Sequence, residues 1–483
     1  MERLIFEKSV AGRRGATFPM DGVEEAAEAF LPKAYLRQAP LDLPEVSENE
    51  VVRHYTALSR KNYGVDTGYY PLGSCTMKYN PKIHEEVANF PGFSQIHPLQ
   101  PPETVQGVLA LMFDLSRYLC EITGMCGVSL QPAAGAQGEL IGMLMTRAYY
   151  RDRGEPRTTV LIPDSAHGTN PASAALAGYT IRTVRSDARG EVDLTDLAKG
   201  IGPDTAAFML TNPNTLGLFE RKIQEISRIV HEAGALMYLD GANLNALLGL
   251  VRPGDIGFDI VHFNLHKTFS TPHGGGGPGA GPVGVSQALV PYLPSPVIRE
   301  KGTSYRLQTN GSKSVGRVHG FYGNVGILVR AYTYIRRLGA VGLSAISRNA
   351  IINANYLKKR LEADYPVPFN RPCMHEFVIS AKSFKAQGIG AWDIAKRLID
   401  YGFYPPTVHF PHIVDEALMI ETPESEARER LDDFAAAMIE IGREIREAPA
   451  QVTGAPHTTA VGRMDEVQAA KRLDVRWMRD QAG

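Results

Sequence analysis

The chain has 483 residues, a length that predicts about three structural units with substantial hydrophobic cores. Hydrophobic residues make up 44% and charged residues 21% of the sequence, which excludes wholesale disorder and fibrous repeats. Lys and Arg total 51 against 52 Asp and Glu, so the net charge is -1 and neither nucleic acid nor an anionic membrane is expected as a partner.

Cysteine usage and the N-terminal sequence indicate a reducing compartment. The four cysteines are scattered and include no CxxC pair, so neither a disulfide framework nor a metal site is expected. The first residues lack the apolar core of a secretion signal, and no apolar run approaches the ~18 residues that span a bilayer. We therefore expect a cytoplasmic protein without a membrane segment.

The chain begins with a predicted N-terminal arm, residues 1–75. Helical spacing of apolar residues occurs in Asp21–Phe30 and in Ser47–Ser59. A polar stretch rich in Tyr and Gly, Asn62–Pro81, follows and predicts irregular structure. Its Ser74 and Cys75 fit the wall of a binding site about as well as a purely structural loop.

A large α/β domain is predicted over residues 76–340. Short apolar runs that each end in turn residues are typical of buried parallel strands. The predicted strands are Thr158–Ile162, Ala206–Leu210, Ala235–Leu239 and Asp259–Phe263. Between the second and third of these, Ile223–Ala233 has helical spacing of its apolar residues, and Gly234 is a suitable residue to end the helix.

A smaller α+β domain is predicted over residues 341–450, followed by a tail at 451–483. Phe321–Ala363 indicates long helical structure with a break near the glycines at 339 and 342. A strand at His375–Ser380 and helices at Ala391–Asp400 and Ser425–Ile445 complete the predicted domain.

Chemically reactive side chains follow four successive predicted strands. They are His167 after the first, Thr211 and Thr215 after the second, Asp240 after the third and Lys267 after the fourth. Each is common at a strand end for structural reasons, because Asp favours turns and Lys is usually solvated. In open α/β sheets, however, ligands bind at the carboxyl ends of the strands, so their joint placement indicates one site.

The combination meets the needs of pyridoxal phosphate chemistry. Lys267 supplies the amine for a Schiff base with the cofactor aldehyde, and Asp240 supplies the carboxylate that keeps the pyridine nitrogen protonated. His167 supplies a flat ring for stacking. The stretch Pro132–Glu139 opens an apolar helical segment and suits either a phosphate cradle or an ordinary tight turn. No GxxxxGK[ST] motif and no GxGxxG fingerprint opening a βαβ unit is present, which removes the main support for nucleotide or NAD binding.

Several long motifs, spread over nearly the whole chain, resemble the P-protein family of the glycine cleavage system, which contains pyridoxal-phosphate-dependent glycine decarboxylases. Motifs of this length are very specific. They are Tyr70–Lys82, Ile96–Gly107, Ser129–Glu139, Ile162–Ser173, Asp240–Asn243 and Asn264–Phe269.

The resemblance implies the aminotransferase-like fold type I, with a large, mostly parallel domain and a smaller C-terminal domain. Carried over by matched motif, Lys267 is the Schiff-base lysine and Asp240 the pyridinium partner, while His167 and Ala242 lie on opposite faces of the ring. Further positions implied for cofactor or substrate are Ala136 and Gln137 at the phosphate, His266 at phosphate or substrate, and Thr211 or Thr215 at the ring hydroxyl.

The resemblance also implies the reaction and the partners. Glycine is decarboxylated, CO2 is released, and the aminomethyl group passes to the oxidised lipoyl arm of H-protein. The chain matches the C-terminal half of single-chain members, which implies the second subunit of the split bacterial form and a heterotetramer with two copies of a related companion chain. The alternatives are another fold type I enzyme acting on a small amino acid, or a non-catalytic partner subunit.

Overall fold

The computed structural model describes residues 2–16, 27–39, 41–97, 99–274 and 276–476. The chain divides into two compact units, residues 1–67 and 68–483. In the first unit, helix α1 (Glu48–Ser59) confirms the second predicted helix. The first predicted helix, 21–30, lies largely outside the described residues.

A seven-stranded sheet forms the centre of the second unit, in the order β1-β7-β6-β5-β4-β2-β3. Strands β2 to β6 are mutually parallel, whereas β7 runs antiparallel to both of its neighbours. The four predicted strands are confirmed as β2, β4, β5 and β6. The strands are β1 (Gly127–Ser129), β2 (Thr159–Pro163), β3 (Thr180–Val184), β4 (Thr205–Thr211), β5 (Leu236–Gly241), β6 (Ile260–Phe263) and β7 (Val283–Val285).

The central strands β2, β4, β5 and β6 are buried along their whole length because both faces of the sheet are covered. Successive residues of β2 enter different cores: Leu161 packs into one, and Val160 and Ile162 pack into the other. The helices of this part are α2 (Lys82–Ala88), α3 (Pro91–Ser94), α4 (Gln106–Thr123), α5 (Gly135–Asp152), α6 (Thr169–Leu176), α7 (Leu194–Gly200), α8 (Ile223–Glu232) and α9 (Leu265–Thr268).

Helix α8 shows how the sequence sets a boundary. Its buried Ile223, Ile226 and Val230 recur at helical spacing and face the core. The helix ends before Gly234, which adopts φ +71°, a left-handed conformation that glycine takes without steric cost. The predicted helix and its stop are both confirmed.

The C-terminal part contains a hairpin, a long helix and a second sheet. The hairpin strands β8 (Val297–Lys301) and β9 (Ser304–Gln308) precede α10 (Val325–Leu361), in which Gly339 breaks the helical backbone as expected. The second sheet has the order β10-β12-β11. Its elements and the remaining helices are β10 (Glu376–Ser380), α11 (Ala391–Asp400), β11 (Thr407–Val408), β12 (Ala417–Glu421), α12 (Arg428–Glu447), α13 (Pro449–Thr453) and α14 (Glu466–Lys471).

The predicted fold class is thus confirmed: a mostly parallel sheet covered by helices is followed by an α+β part. The domain limits at 75/76, 340/341 and 450/451 stay predictions. Among the described residues, no helix has both the length and the apolar character needed to cross a bilayer.

Candidate active site

A cavity of about 720 Å³ lies at the carboxyl ends of β2, β4, β5 and β6. Parallel strands bring their carboxyl ends to one edge of a sheet, so the residues that follow them meet there. Of the nine residues predicted from the sequence, the cavity wall includes Ala136, His167, Thr211, Thr215, Asp240, Ala242, His266 and Lys267.

Gln137, the ninth residue, uses its side chain in local structure. Its Oε1 accepts from the Ala133 N–H at 2.6 Å, and its Nε2 donates to the Val318 carbonyl at 2.8 Å. Both polar atoms of the Gln137 side chain are thus engaged, which makes its backbone N–H the better candidate to bind a ligand at the start of α5.

Lys267 lies in the short helix α9, directly after β6. Its Nζ donates to the backbone carbonyl of Ser74 at 2.8 Å. Ser74 itself has φ +63°, a left-handed conformation that is uncommon for a residue with a Cβ. The amine of Lys267 is thus held at the cavity wall by one carbonyl from a distant loop.

Asp240 is buried near the end of β5, and its carboxylate is surrounded by donors. Asn170 Nδ2 donates to Oδ2 at 3.0 Å, the Ala242 N–H donates to Oδ1 at 2.9 Å, and His262 Nε2 lies 3.2 Å from Oδ1. Burial alone would raise the pKa of Asp240, but His262, these hydrogen bonds and the Lys267 charge hold it below its ordinary value. Asp240 is therefore an anion at neutral pH.

His262 is a site residue that the sequence analysis missed, because it lies inside an apolar strand and suggests a core residue. Its Nδ1 lies 3.0 Å from the Tyr238 hydroxyl, so the ring has a polar partner at each nitrogen, Asp240 at Nε2 and Tyr238 at Nδ1. The register of the parallel strands β5 and β6 is what reveals its role, because Asp240 and His262 are direct partners in that pair.

His167 and the two threonines occupy different parts of the wall. His167 Nδ1 lies 2.9 Å from the Thr169 hydroxyl, and its ring meets the Phe410 ring edge-on at 5.6 Å. The Thr211 hydroxyl donates to Asp240 at 3.5 Å. The Thr215 hydroxyl donates to the Ser165 carbonyl at 2.5 Å, which engages its donor in the main chain.

One wall of the cavity suits an anion. Helix α5 has 18 residues, and its first N–H groups, from Gly135 onward, have no acceptor within the helix. Nearby, His266 Nδ1 is buried without a hydrogen-bond partner. Burial, Lys267 and His273 lower the pKa of His266 to about 3, so its ring is neutral.

The same wall permits close backbone approach through glycine. A Cβ added to Gly281 would lie 2.0 Å from the Ala134 carbonyl oxygen, at the residue that caps α5. The cavity thus offers a helix N-terminus, a lysine amine and a buried carboxylate. These are the groups that the phosphate, aldehyde and pyridine nitrogen of pyridoxal phosphate require, so the residues fit that cofactor.

Gly281→Ala is expected to lower the free energy of unfolding by about 1–3 kcal/mol, because the new methyl group pushes against the cap of α5. It is also expected to weaken retention of pyridoxal phosphate. Urea unfolding and cofactor content after dialysis measure the two effects. Gly320→Ala is the matched control, because nothing lies within 4 Å of a Cβ there; equal behaviour of the two variants would contradict the close approach.

Family profiles match most of the chain. Residues 16–306 match the family described as "Glycine cleavage system P-protein", and residues 346–459 match "Glycine dehydrogenase, C-terminal domain". A protein of Exiguobacterium sibiricum is 57% identical over 99% of this chain and 97% of its own length. A protein of Halalkalibacterium halodurans is 56% identical over 99% of this chain and 98% of its own length. Both are named "Probable glycine dehydrogenase (decarboxylating) subunit 2".

Solved structures of fold type I enzymes resemble the fold. An inhibitor-bound glycine decarboxylase (P-protein) of the glycine cleavage system has a TM-score of 0.72 at 22% identity, covering 86% of this chain and 94% of that one. A cysteine desulfurase of Thermococcus onnurineus has a TM-score of 0.60 at 15% identity, with coverage of 78% and 95%. At these identities the likeness supports the fold alone.

Proposed function

Because the chain belongs to the P-protein family of the glycine cleavage system, we propose that it holds pyridoxal phosphate in the cavity at the sheet edge and decarboxylates glycine there. Its activity is that of glycine dehydrogenase (decarboxylating), and the chain corresponds to subunit 2 of that enzyme. The observation that carries the proposed site is the convergence of Lys267, Asp240 and the N-terminus of α5 on one cavity.

Pyridoxal phosphate, when bound, withdraws electrons from the bond between the glycine α-carbon and its carboxylate. The chain's own residues would bind and orient the reactants. Lys267 would hold the cofactor covalently through its amine, a group that the amino group of glycine could displace.

Asp240 would hold the proton at the pyridine nitrogen, since a buried anion stabilises a cation beside it. His262 fixes the orientation of the Asp240 carboxylate from behind. His167 would stack on one ring face. Ala242 would face the other, where its small side chain leaves room for a flat ring.

The remaining predicted residues have more limited roles. Backbone N–H groups at Ala136 and Gln137 would bind phosphate, since the Gln137 side chain is already engaged. The neutral His266 would bind phosphate or substrate. Thr211 is the better candidate for the ring hydroxyl, because the Thr215 donor is already directed at a main-chain carbonyl.

The proposed acceptor is the oxidised lipoyl arm of H-protein. CO2 leaves, the remaining aminomethyl carbon forms a bond to one lipoyl sulfur, and the sulfur–sulfur bond breaks, so that the second sulfur takes a proton and becomes a thiol. A subunit 2 chain implies a companion subunit 1, and we propose a heterotetramer with two copies of each. The cytoplasmic location stays a prediction.

The test is exchange of labelled bicarbonate into the carboxyl group of glycine, with this chain co-expressed with its companion. Exchange that requires lipoylated H-protein is the expected result. A preparation that contains both chains and bound pyridoxal phosphate but shows no exchange would contradict glycine as the substrate. Absence of the cofactor from the purified complex would instead support a non-catalytic subunit.

A further inference from the structure

The Ser74 loop, residues 72–76, connects the second sheet to the cavity. Leu72 forms an antiparallel bridge with Ile420, and the Gly73 N–H donates to the Met419 carbonyl at 3.2 Å. The Thr407 hydroxyl donates to the Gly73 carbonyl at 2.7 Å. The loop is therefore fixed to β11 and β12, while its Ser74 carbonyl accepts from Lys267.

Two buried glutamates lie behind this loop. Glu376 and Glu421 are direct partners across the antiparallel strands β10 and β12, and their exposed fractions are 0% and 1%. Glu376 Oε2 accepts from the Ser74 N–H at 2.8 Å, and Oε1 accepts from Asn243 Nδ2 at 3.1 Å. Glu421 Oε1 accepts from the Thr76 hydroxyl.

Ionisation of one of these carboxyl groups disfavours ionisation of the other, because the two are buried neighbours. Burial raises the pKa of both, mutual repulsion raises that of Glu376 further, and the pKa of Glu421 is raised to about 7. Both oxygens of Glu376 accept hydrogen bonds, whereas Glu421 Oε2 has no partner. Burial and repulsion oppose a charge on Glu376, but two N–H donors face its oxygens whereas a single hydroxyl faces Glu421, so the hydrogen bonds favour the charge of the pair on Glu376.

His375 does not neutralise the pair. Its Nε2 lies 3.9 Å from one oxygen of each glutamate, and neither ring nitrogen has a hydrogen-bond partner. Burial and the Lys267 charge lower the pKa of His375 to about 3, so the ring is neutral. Lys267 is the cation that acts on all three groups.

We propose that Glu376 is a positioning residue for Lys267: its carboxylate holds Ser74 in the left-handed conformation that presents the Ser74 carbonyl to the lysine amine. The inference rests on the proposed function and deepens it. The amine displaced by glycine has a fixed acceptor, the Ser74 carbonyl, with a negative charge directly behind it. The Ser74 backbone is held on one side by Glu376 and on the other by Lys267.

Other titratable groups around Lys267 bear on any pH test. Each of them responds electrostatically to the Lys267 charge, and Cys75 also responds to the charges of Glu376 and Glu421. They are Cys75, His167, Asp240, His266, His273 and His375.

The test compares Glu376→Gln with Glu421→Gln in the holoenzyme with its companion chain. Glutamine at 376 has one acceptor for two donors and no charge, so Ser74 loses its fixed position. Glutamine at 421 imitates a protonated carboxyl and leaves Glu376 ionised, which makes it the matched control. The readouts are the glycine–bicarbonate exchange rate and the pH midpoint of the absorbance change of the lysine-bound cofactor.

Glu376→Gln is expected to lower the exchange rate about a hundredfold. It should also move the absorbance midpoint about one pH unit lower. Loss of a nearby negative charge disfavours the protonated form of the bond between Lys267 and the cofactor. Glu421→Gln should leave both close to wild type. Equal midpoints in wild type and Glu376→Gln would overturn the proposal, as would equal effects of the two variants.

Two further measurements keep the result decisive. Glu376→Asp retains a carboxylate but moves it away from Ser74, so the absorbance midpoint should return toward the wild-type value while the exchange rate stays low. This variant also replaces Glu376→Gln in the test if Glu376→Gln does not fold.

Metal analysis tests a rival role for the three buried residues, since His375, Glu376 and Glu421 could hold an ion. About one divalent metal per chain, lost in Glu376→Gln, would overturn the proposal. The absorbance midpoint needs no glycine turnover, so a failure of the proposed reaction is distinguishable from a failure of this inference.

Discussion

Replacing Lys267 by alanine is expected to abolish covalent attachment of pyridoxal phosphate and to reduce glycine–bicarbonate exchange by at least about 10⁴-fold. Among the described residues that line the cavity, Lys267 is the only lysine. Its amine is held at the wall by the Ser74 carbonyl. Because no second lysine is among the described lining residues, no neighbouring amine is placed to replace it. Borohydride reduction followed by peptide mass spectrometry locates the attachment site in the wild-type protein and its loss in the variant.

The matched control for this prediction is Lys199→Ala, since Lys199 is exposed in α7 and does not line the cavity. Attachment and exchange should be unchanged in that variant. A cofactor that remains covalently bound in Lys267→Ala after reduction would contradict the assignment. Unfolding curves that coincide with wild type would separate loss of chemistry from loss of structure.

The parallel sheet was predictable from the sequence because its strands are buried on both faces. Thr158–Ile162 is a run of β-branched and apolar residues, Ala235–Leu239 is an apolar run, and both form central strands, β2 and β5. Three strands of this sheet escaped prediction because their sequence signals are weaker. β1 and β7 have three residues each, and β3 has mostly exposed or half-buried side chains, so none shows a long apolar run.

The chemistry at the strand ends was also predictable, because a parallel sheet brings successive carboxyl ends to one edge. Side-chain direction was not. Gln137 shares its motif with Ala136, yet its side chain turns into the local structure, and the Thr215 hydroxyl bonds a distant carbonyl. Their roles, like those of the other predicted site residues, stay predictions.

Contacts between distant segments could not be derived from local patterns. Ser74 and Lys267 are 193 residues apart, and Ser74 and Glu376 are 302 residues apart. Nothing in the spacing of either motif indicates that a loop fixed to the second sheet supplies the acceptor for the lysine amine. Only the assembled fold brings the three residues together.

Asp240→Asn is expected to reduce exchange by at least about a hundredfold while the protein remains folded. An amide of the same size fills the same space, but it lacks the charge that holds a proton at the pyridine nitrogen. Its NH2 group must also face the donors of Asn170 and Ala242 or the His262 ring, since these surround the present carboxylate. Exchange rates at matched cofactor content measure the effect.

Asp255→Asn provides the control, because Asp255 is an exposed residue that does not line the cavity. Its exchange rate should equal that of wild type. If Asp240 acts through the ring nitrogen, Asp240→Asn should also shift the absorbance of the bound cofactor, whereas simple loosening of the cavity would lower cofactor content instead. Near-normal turnover in Asp240→Asn would exclude Asp240 from this role and would leave Lys267 and the helix α5 N-terminus as the remaining support for the cofactor site.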